Sequence, residues 1–267
     1  MKRLLSILIT GLFALIAAAC EDVIQVDLMS SEQRIVLEAM LDAETGLFGM
    51  HISKTASYYE TNDFEAVPGA IVTLTTSTGN TYQCIDSGNG GYAAQNIVVN
   101  PGDTVNITIK TSENKLFHAR TTVPVKATLT GLETEKQNGP FGNRGEAYQL
   151  YALWEDSAGV KNYYRLKLTV NDTSRTNQYF LLDDKIGDGE TMRRQIFREP
   201  FQPGDVVTVE LLSIDESYYE YFLQIADIQG SGFSAATPYN PMGNIDNDAL
   251  GYFGIVYRSS KRIVIPT

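Results

Sequence analysis

From Arg34 onward apolar and polar residues alternate with a period of two, and turn residues break the pattern at short intervals. That period belongs to β-strands with one face buried and one wet. In the first half it predicts strands at Arg34 to Leu41, Leu47 to Lys54, Ala70 to Thr76, Thr81 to Asp86, Gly91 to Val99, Thr104 to Lys110 and Lys115 to Val123. Thr78-Gly79-Asn80, Gly88-Asn89-Gly90-Gly91 and Asn100-Pro101-Gly102-Asp103 supply tight turns between them. Seven short strands in this span predict an immunoglobulin-like or transthyretin-like β-sandwich over residues 34–124.

A boundary is expected near Pro124, followed by a second β-rich domain over residues 125–267. Residues 132–146 are polar and glycine-rich and read as a loop. Strands resume at Ala147 to Glu155 and at Asn162 to Val170, where Tyr164, Leu166, Leu168 and Val170 share a buried face and Arg165, Lys167 and Thr169 a wet one. Further strands are expected at Gln178 to Leu182, Met192 to Arg198 and Val206 to Ile214. The period then changes: Tyr218, Tyr221, Phe222, Ile225 and Ile228 form one stripe of a helix near 216–229. Asp215, or Ser213 with Glu216, is the expected cap, and Gly230 the stop. A long Gly, Ser, Asn and Pro-rich loop from Gly230 to Asp248 leads to two apolar runs, Leu250 to Val256 and Arg262 to Ile265, expected as closing strands. The fold class is mainly β with one short helix.

The alternation does not extend to the first residues. Lys2 and Arg3 precede an uncharged stretch from Leu4 to Ala19, too short for a comfortable membrane span, which ends in Ala18-Ala19-Cys20. Residues 1–19 therefore read as a lipoprotein signal peptide, with Cys20 as the lipidation site and residues 20–33 as anchor and short tether. The alternative is an ordinary secretory signal whose cleavage site happens to precede a cysteine. Acyl chains gain about 0.8 kcal/mol per buried CH₂, so several on one cysteine hold a protein to a bilayer without spanning it.

Charge narrows the partners. The full chain carries a net charge of -11, and loss of Lys2 and Arg3 with residues 1–19 takes the mature chain to -13. Such an acidic chain is a poor ligand for nucleic acid or for an anionic lipid surface. After lipidation of Cys20 only Cys84 remains, so no intramolecular disulfide is expected, and Cys84 reads as a small buried hydrophobe within a strand.

Catalytic patterns are sparse. His51 and His118 lie in separate strands without an HExxH helix, and Ser231 and Ser234 are not centred in GxSxG. Two acidic turns, Asp183 to Glu190 and Asn244 to Asp248, depart from the EF-hand loop at ligand or glycine positions and read as solvated turns rather than calcium sites. Paired carboxylates such as Asp42 with Glu44, or Asp215 with Glu216, carry little weight in so acidic a chain. Tyr58-Tyr59, Tyr163-Tyr164 and Tyr218-Tyr219 are candidates for stacking on sugars, although strand alternation alone would turn one ring of each pair inward. No metal, cofactor or catalytic residue is assigned.

The turn and strand-start residues also form a pattern. Val67-Pro68-Gly69-Ala70-Ile71-Val72, Gly91-Tyr92, Pro101-Gly102-Asp103 and a strand ending at Pro124 resemble the regulatory-type sandwich of carboxypeptidase accessory domains. With Cys20, Ile24 to Leu28, Tyr163-Tyr164-Arg165, Pro203-Gly204-Asp205-Val206, Ser213-Ile214-Asp215 and Gly251-Tyr252-Phe253-Gly254, nearly the whole mature chain resembles a Bacteroidota outer-membrane lipoprotein family known only as a domain of unknown function. The resemblance implies a gene beside a TonB-dependent receptor, an accessory role at the outer membrane, and no established catalytic residues. Glu21 and Asp22 resemble the early acidic signal for passage to the outer leaflet, and Asp103-Thr104-Val105 and Asp156-Ser157-Ala158 resemble O-glycosylation motifs. The expected function is that of a lipid-anchored, non-enzymatic outer-membrane protein, exposed on the cell surface, that binds a partner or substrate through the 132–146 and 230–248 loops. A glycan-binding or glycan-degrading surface protein and an adhesin are the alternatives.

Overall fold

A computed structural model describes residues 33–56, 64–137, 147–175, 179–185, 187–230 and 239–267. The protein is mainly β, with several sheets and one helix among these residues. The strands are β1 (Ile35–Asp42), β2 (Leu47–Lys54), β3 (Ile71–Thr76), β4 (Thr81–Gln83), β5 (Ile85–Gly88), β6 (Gly91–Ala94), β7 (Thr104–Lys110), β8 (Leu116–Thr122), β9 (Leu129–Lys136), β10 (Tyr148–Glu155), β11 (Tyr163–Val170), β12 (Thr173–Ser174), β13 (Phe180–Asp183), β14 (Thr191–Phe201), β15 (Val206–Ile214) and β16 (Leu250–Val264). The helix, α1, is Glu216–Gly230.

The main sheet runs β12-β11-β15-β16-β1-β2-β6-β5, with β13 also paired to β11. Its two halves are joined by β16. Residues 250–256 of that strand pair parallel with β1, and residues 256–264 pair antiparallel with β15. Among the described residues the last strand thus lies beside the first, and the apolar runs expected as two closing strands are one 15-residue strand.

Two smaller sheets pack on one face of this sheet. The sheet β4-β3-β7-β8 covers β1, β2 and the start of β16, enclosing Leu37, Leu41, Phe48 and Ile52 with Val72, Leu74, Val105, Ile107 and Phe253. The sheet β14-β10-β9 covers β11 and β15, enclosing Leu150, Trp154 and Ile196 with Tyr164, Leu166, Val207, Val209 and Leu211. Apart from the residues of β16, the first core ends at Val123 and the second begins at Ala127. Burial of these alternating side chains is what selects the strand register, because a one-residue slip would turn each apolar set to water.

Three local departures from the sequence pattern have physical causes. Residues 132–136 are not loop but the end of β9, a polar edge strand whose Glu133 and Glu135 pair across the sheet with Arg193. The expected strand at 81–86 is interrupted at Cys84, with β4 joining the small sheet and β5 the main one. The strand from Gly91 stops at Ala94, while Ile97 and Val99 still bury their side chains in the first core. Residues 138–146 of the expected loop lie outside the described residues.

Candidate functional site

The opposite face of the main sheet carries α1. Asp215 follows β15 and caps the helix: its Oδ1 accepts the Tyr218 N–H at 2.9 Å and its Oδ2 the Ile255 N–H at 2.8 Å. The cap fixes where the first turn lands. Tyr218, 1% exposed, lies on Gly254 of β16, where a β-carbon would stand 2.6 Å from the ring. The rest of the expected stripe, Tyr221, Phe222, Ile225 and Ile228, is only half-buried.

Strand alternation places Tyr163, Arg165 and Lys167 of β11 on this same face. The sequence pattern predicts it to be wet, but α1 covers part of it, and Arg165 is only 9% exposed. Its guanidinium carbon lies 4.8 Å from the Tyr179 ring centre and 4.6 Å from that of Phe222, while Nη1 donates to the Tyr218 hydroxyl at 2.5 Å. Arg165 Nε is buried with no hydrogen-bond partner among the described residues. Tyr252 continues the aromatic cluster, its ring 5.0 Å from both Tyr221 and Phe222. Burial raises the Tyr218 and Tyr252 hydroxyls above the ordinary tyrosine range, so both are neutral donors or acceptors at physiological pH.

A cleft of about 460 Å³ opens at the start of α1, between the Thr121 to Val125 segment and Val160 to Tyr163. Glu216 lies in it and accepts the Tyr163 hydroxyl at 2.5 Å; burial and this carboxylate hold the Tyr163 proton on its ring. A second groove of about 680 Å³ runs along the β5 and β6 edge, with Leu47 and Ile85 exposed in it.

Among the described residues, Asp156, Asp184 and Asp188 are the group suited to a cation, each bringing one oxygen within 4.8 Å of the others. Asp156 and Asp184 are buried and Asp188 is exposed. Asp156 accepts the Tyr164 hydroxyl and the Gly189 N–H, Asp184 the Asn162 N–H, and Asp188 the Gly159 N–H. The acidic turn at 183–190 supplies two of the three; Asp156, at the end of β10, is brought in by the fold. The other acidic turn is a hook: Asp246 accepts the His118 N–H at 2.6 Å and pairs with its ring at 2.9 Å, holding residues 244–248 against β8.

The other sequence candidates are dispersed. His51 contacts the Asn89 carbonyl at 3.1 Å, and Asp42 engages Arg258 at 2.7 Å. Cys84 is half-buried, and burial pushes its thiol up to about 12. Thr104 and Ser157, of the two glycosylation motifs, are both half-buried. Cys20, Tyr58, Tyr59, Ser231 and Ser234 lie outside the described residues. Sequence reasoning missed Arg165 as a site residue, and its signal was an arginine in the strand ahead of an aromatic helix.

These features define a β-sandwich protein whose one long sheet carries two smaller sheets on one face and an aromatic, helix-covered arginine on the other. A family described as Domain of unknown function (DUF4249) matches residues 21–262. The chain belongs to that family. No curated protein matches the chain in a sequence search.

Proposed function

We propose that the protein is a non-enzymatic binding module held to the bacterial outer membrane by a lipid on Cys20, working as accessory to a TonB-dependent receptor. The observation that carries the reading is the coincidence of two boundaries. The family region begins at Glu21, one residue past Cys20, so the apolar stretch Leu4 to Ala19 precedes the shared domain. Among the described residues no helix is long and apolar enough to cross a membrane, so the lipid would supply the attachment. From Cys20 to Arg34 the chain spans at most about 50 Å, which keeps the β-body close to the bilayer and raises its effective concentration for a membrane-embedded partner.

The test has two parts. Labelled palmitate should appear on the wild type and not on Cys20→Ala, which should leave the envelope fraction. Crosslinking in intact cells followed by detergent extraction should then recover a large β-barrel receptor. Release of the wild type as a soluble protein would overturn the anchor, and repeated crosslinking without a receptor would overturn the accessory role. Protease treatment of intact cells would decide between surface and periplasmic exposure.

A further inference from the structure

Among the described residues Arg165 is a buried cation that donates to no carboxylate. Most acids on its face of the sheet have other partners: Asp42 and Glu210 hold Arg258, Asp183 pairs with Lys185, Glu216 accepts from Tyr163, and Asp215 accepts the Tyr218 and Ile255 amides, while Glu38 of β1 lies beside Tyr221 and Tyr252. Removing a guanidinium from water is costly unless its charge and its donors are met. Tyr218 meets Nη1, and the Tyr179 and Phe222 rings meet the flat faces. Nε is buried and unpartnered, and Nη2 donates to none of the described residues. Nε–H and Nη2–H lie on one edge of the guanidinium, the pair of donors that matches the two oxygens of a carboxylate. Lys167, two residues along the same face and opposite Glu210 of β15, makes no ion pair among the described residues, and burial, then the Arg165 charge, lower its ammonium from the ordinary lysine range.

We propose that Arg165 anchors a binding site for a carboxylate-bearing small molecule, with its Nε and Nη2 edge as the fork, Tyr179 and Phe222 as walls, and Lys167 as a second cation. The fork matches the two oxygens of a carboxylate, and a single negative charge suits the one cation that is nine-tenths buried better than the two charges of sulfate or phosphate. Tyr179 is half-buried, so the ligand reaches the fork past its ring. The proposal rests on the reading of the protein as a binding module and names the chemistry of its ligand, but it requires neither the lipid nor the receptor.

The experiment uses the full chain as isolated from cells, in detergent where it carries lipid, and follows the arginine Nε–H signals by NMR, that of Arg165 being identified by its loss in Arg165→Lys. Glucuronate and glutarate are titrated as carboxylates on a ring and on an open chain, with glucose, sulfate and phosphate alongside. A saturable shift of the Arg165 signal by either carboxylate, absent with glucose and much weaker with sulfate and phosphate, supports the site and tells which carrier it accepts. Binding measured by calorimetry should weaken at least about tenfold in Arg165→Lys, which keeps the charge but loses the fork. It should weaken less in Lys167→Met. No shift with either carboxylate, an equal shift with sulfate, or undiminished binding by a folded Arg165→Lys protein would overturn the proposal. Receptor recovery in the crosslinking experiment alongside any of those results would leave the accessory role standing and remove only this site.

Discussion

The Asp215 carboxylate accepts the Ile255 N–H at 2.8 Å, tying the start of α1 to the middle of β16. One side chain thereby sets the helix against the strand that both halves of the main sheet share. Asp215→Ala removes the helix cap and leaves the buried Ile255 amide without its acceptor. We expect a loss of about 3 kcal/mol, measured by urea denaturation, most of it from the orphaned amide. A loss below about 1 kcal/mol would mean that the cap is not what positions α1.

Burial also raises Asp215 above the ordinary carboxylate range, against the opposing pull of the Ile255 and Tyr218 amides. The sign follows from linkage: in the window between the unfolded and folded values the native state holds the proton more tightly. Its contribution to stability is fully present below the unfolded value and is lost as pH rises through the folded one. Relative to Asp215→Asn, which does not titrate, the wild type should become progressively less stable across that window and then level off. Denaturation at a series of pH values checks this, and a difference that grows in favour of the wild type with rising pH would contradict it.

Much of this architecture is legible in the sequence because burial has a period. In β7 and β8 strict alternation matches one buried and one wet face, and the change of period after Ile214 marks α1. Alternation fails where partners are remote or polar. β9 is laddered to β10 and buries Leu129, but beyond Leu132 it presents Glu133 and Glu135 to Arg193 rather than an apolar face, and the continuity of β16 through the polar Ser259, Ser260 and Lys261 is fixed by pairing with β15, 48 to 52 residues away in sequence. The candidate site was hidden for a related reason. Arg165 sits at a position that alternation makes wet, and only the packing of α1 over β11 and β16 buries it.

At Gly254 the Tyr218 ring of α1 packs directly on the backbone of β16. A β-carbon there would stand 2.6 Å from Cδ2 of Tyr218, whose ring is enclosed and whose hydroxyl is held by Arg165. Gly254→Ala should therefore cost about 1–3 kcal/mol. In a Tyr218→Ala background the same substitution should cost much less, since the clashing ring is gone. Equal costs in the two backgrounds, measured as a double-mutant cycle, would show that the approach is not limiting.

Cys84 should be a slow thiol. Burial pushes it up to about 12, so the thiolate is scarce near neutrality and alkylation by iodoacetamide should be far slower than that of a free cysteine. The rate should keep rising about tenfold per pH unit between pH 8 and 10 while the protein stays folded. A plateau below pH 9 would place the thiol in an ordinary environment.

The three carboxylates of Asp156, Asp184 and Asp188 repel one another at separations within 4.8 Å, and two of them are buried, where screening by water is weak. Asp188 is the exposed member, and its Oδ1 accepts the Gly159 N–H at 2.8 Å, a bond that an asparagine oxygen can also accept. Asp188→Asn therefore removes a like charge and keeps the hydrogen bond. In metal-free buffer it should raise stability by about 0.5 kcal/mol at low ionic strength, and the gain should shrink as sodium chloride is added. The same pair of proteins titrated with calcium gives an internal check. If repulsion alone governs the cluster, calcium should shift both melting temperatures equally, whereas a wild-type protein stabilised by calcium more than Asp188→Asn would identify the three acids as a cation's ligands.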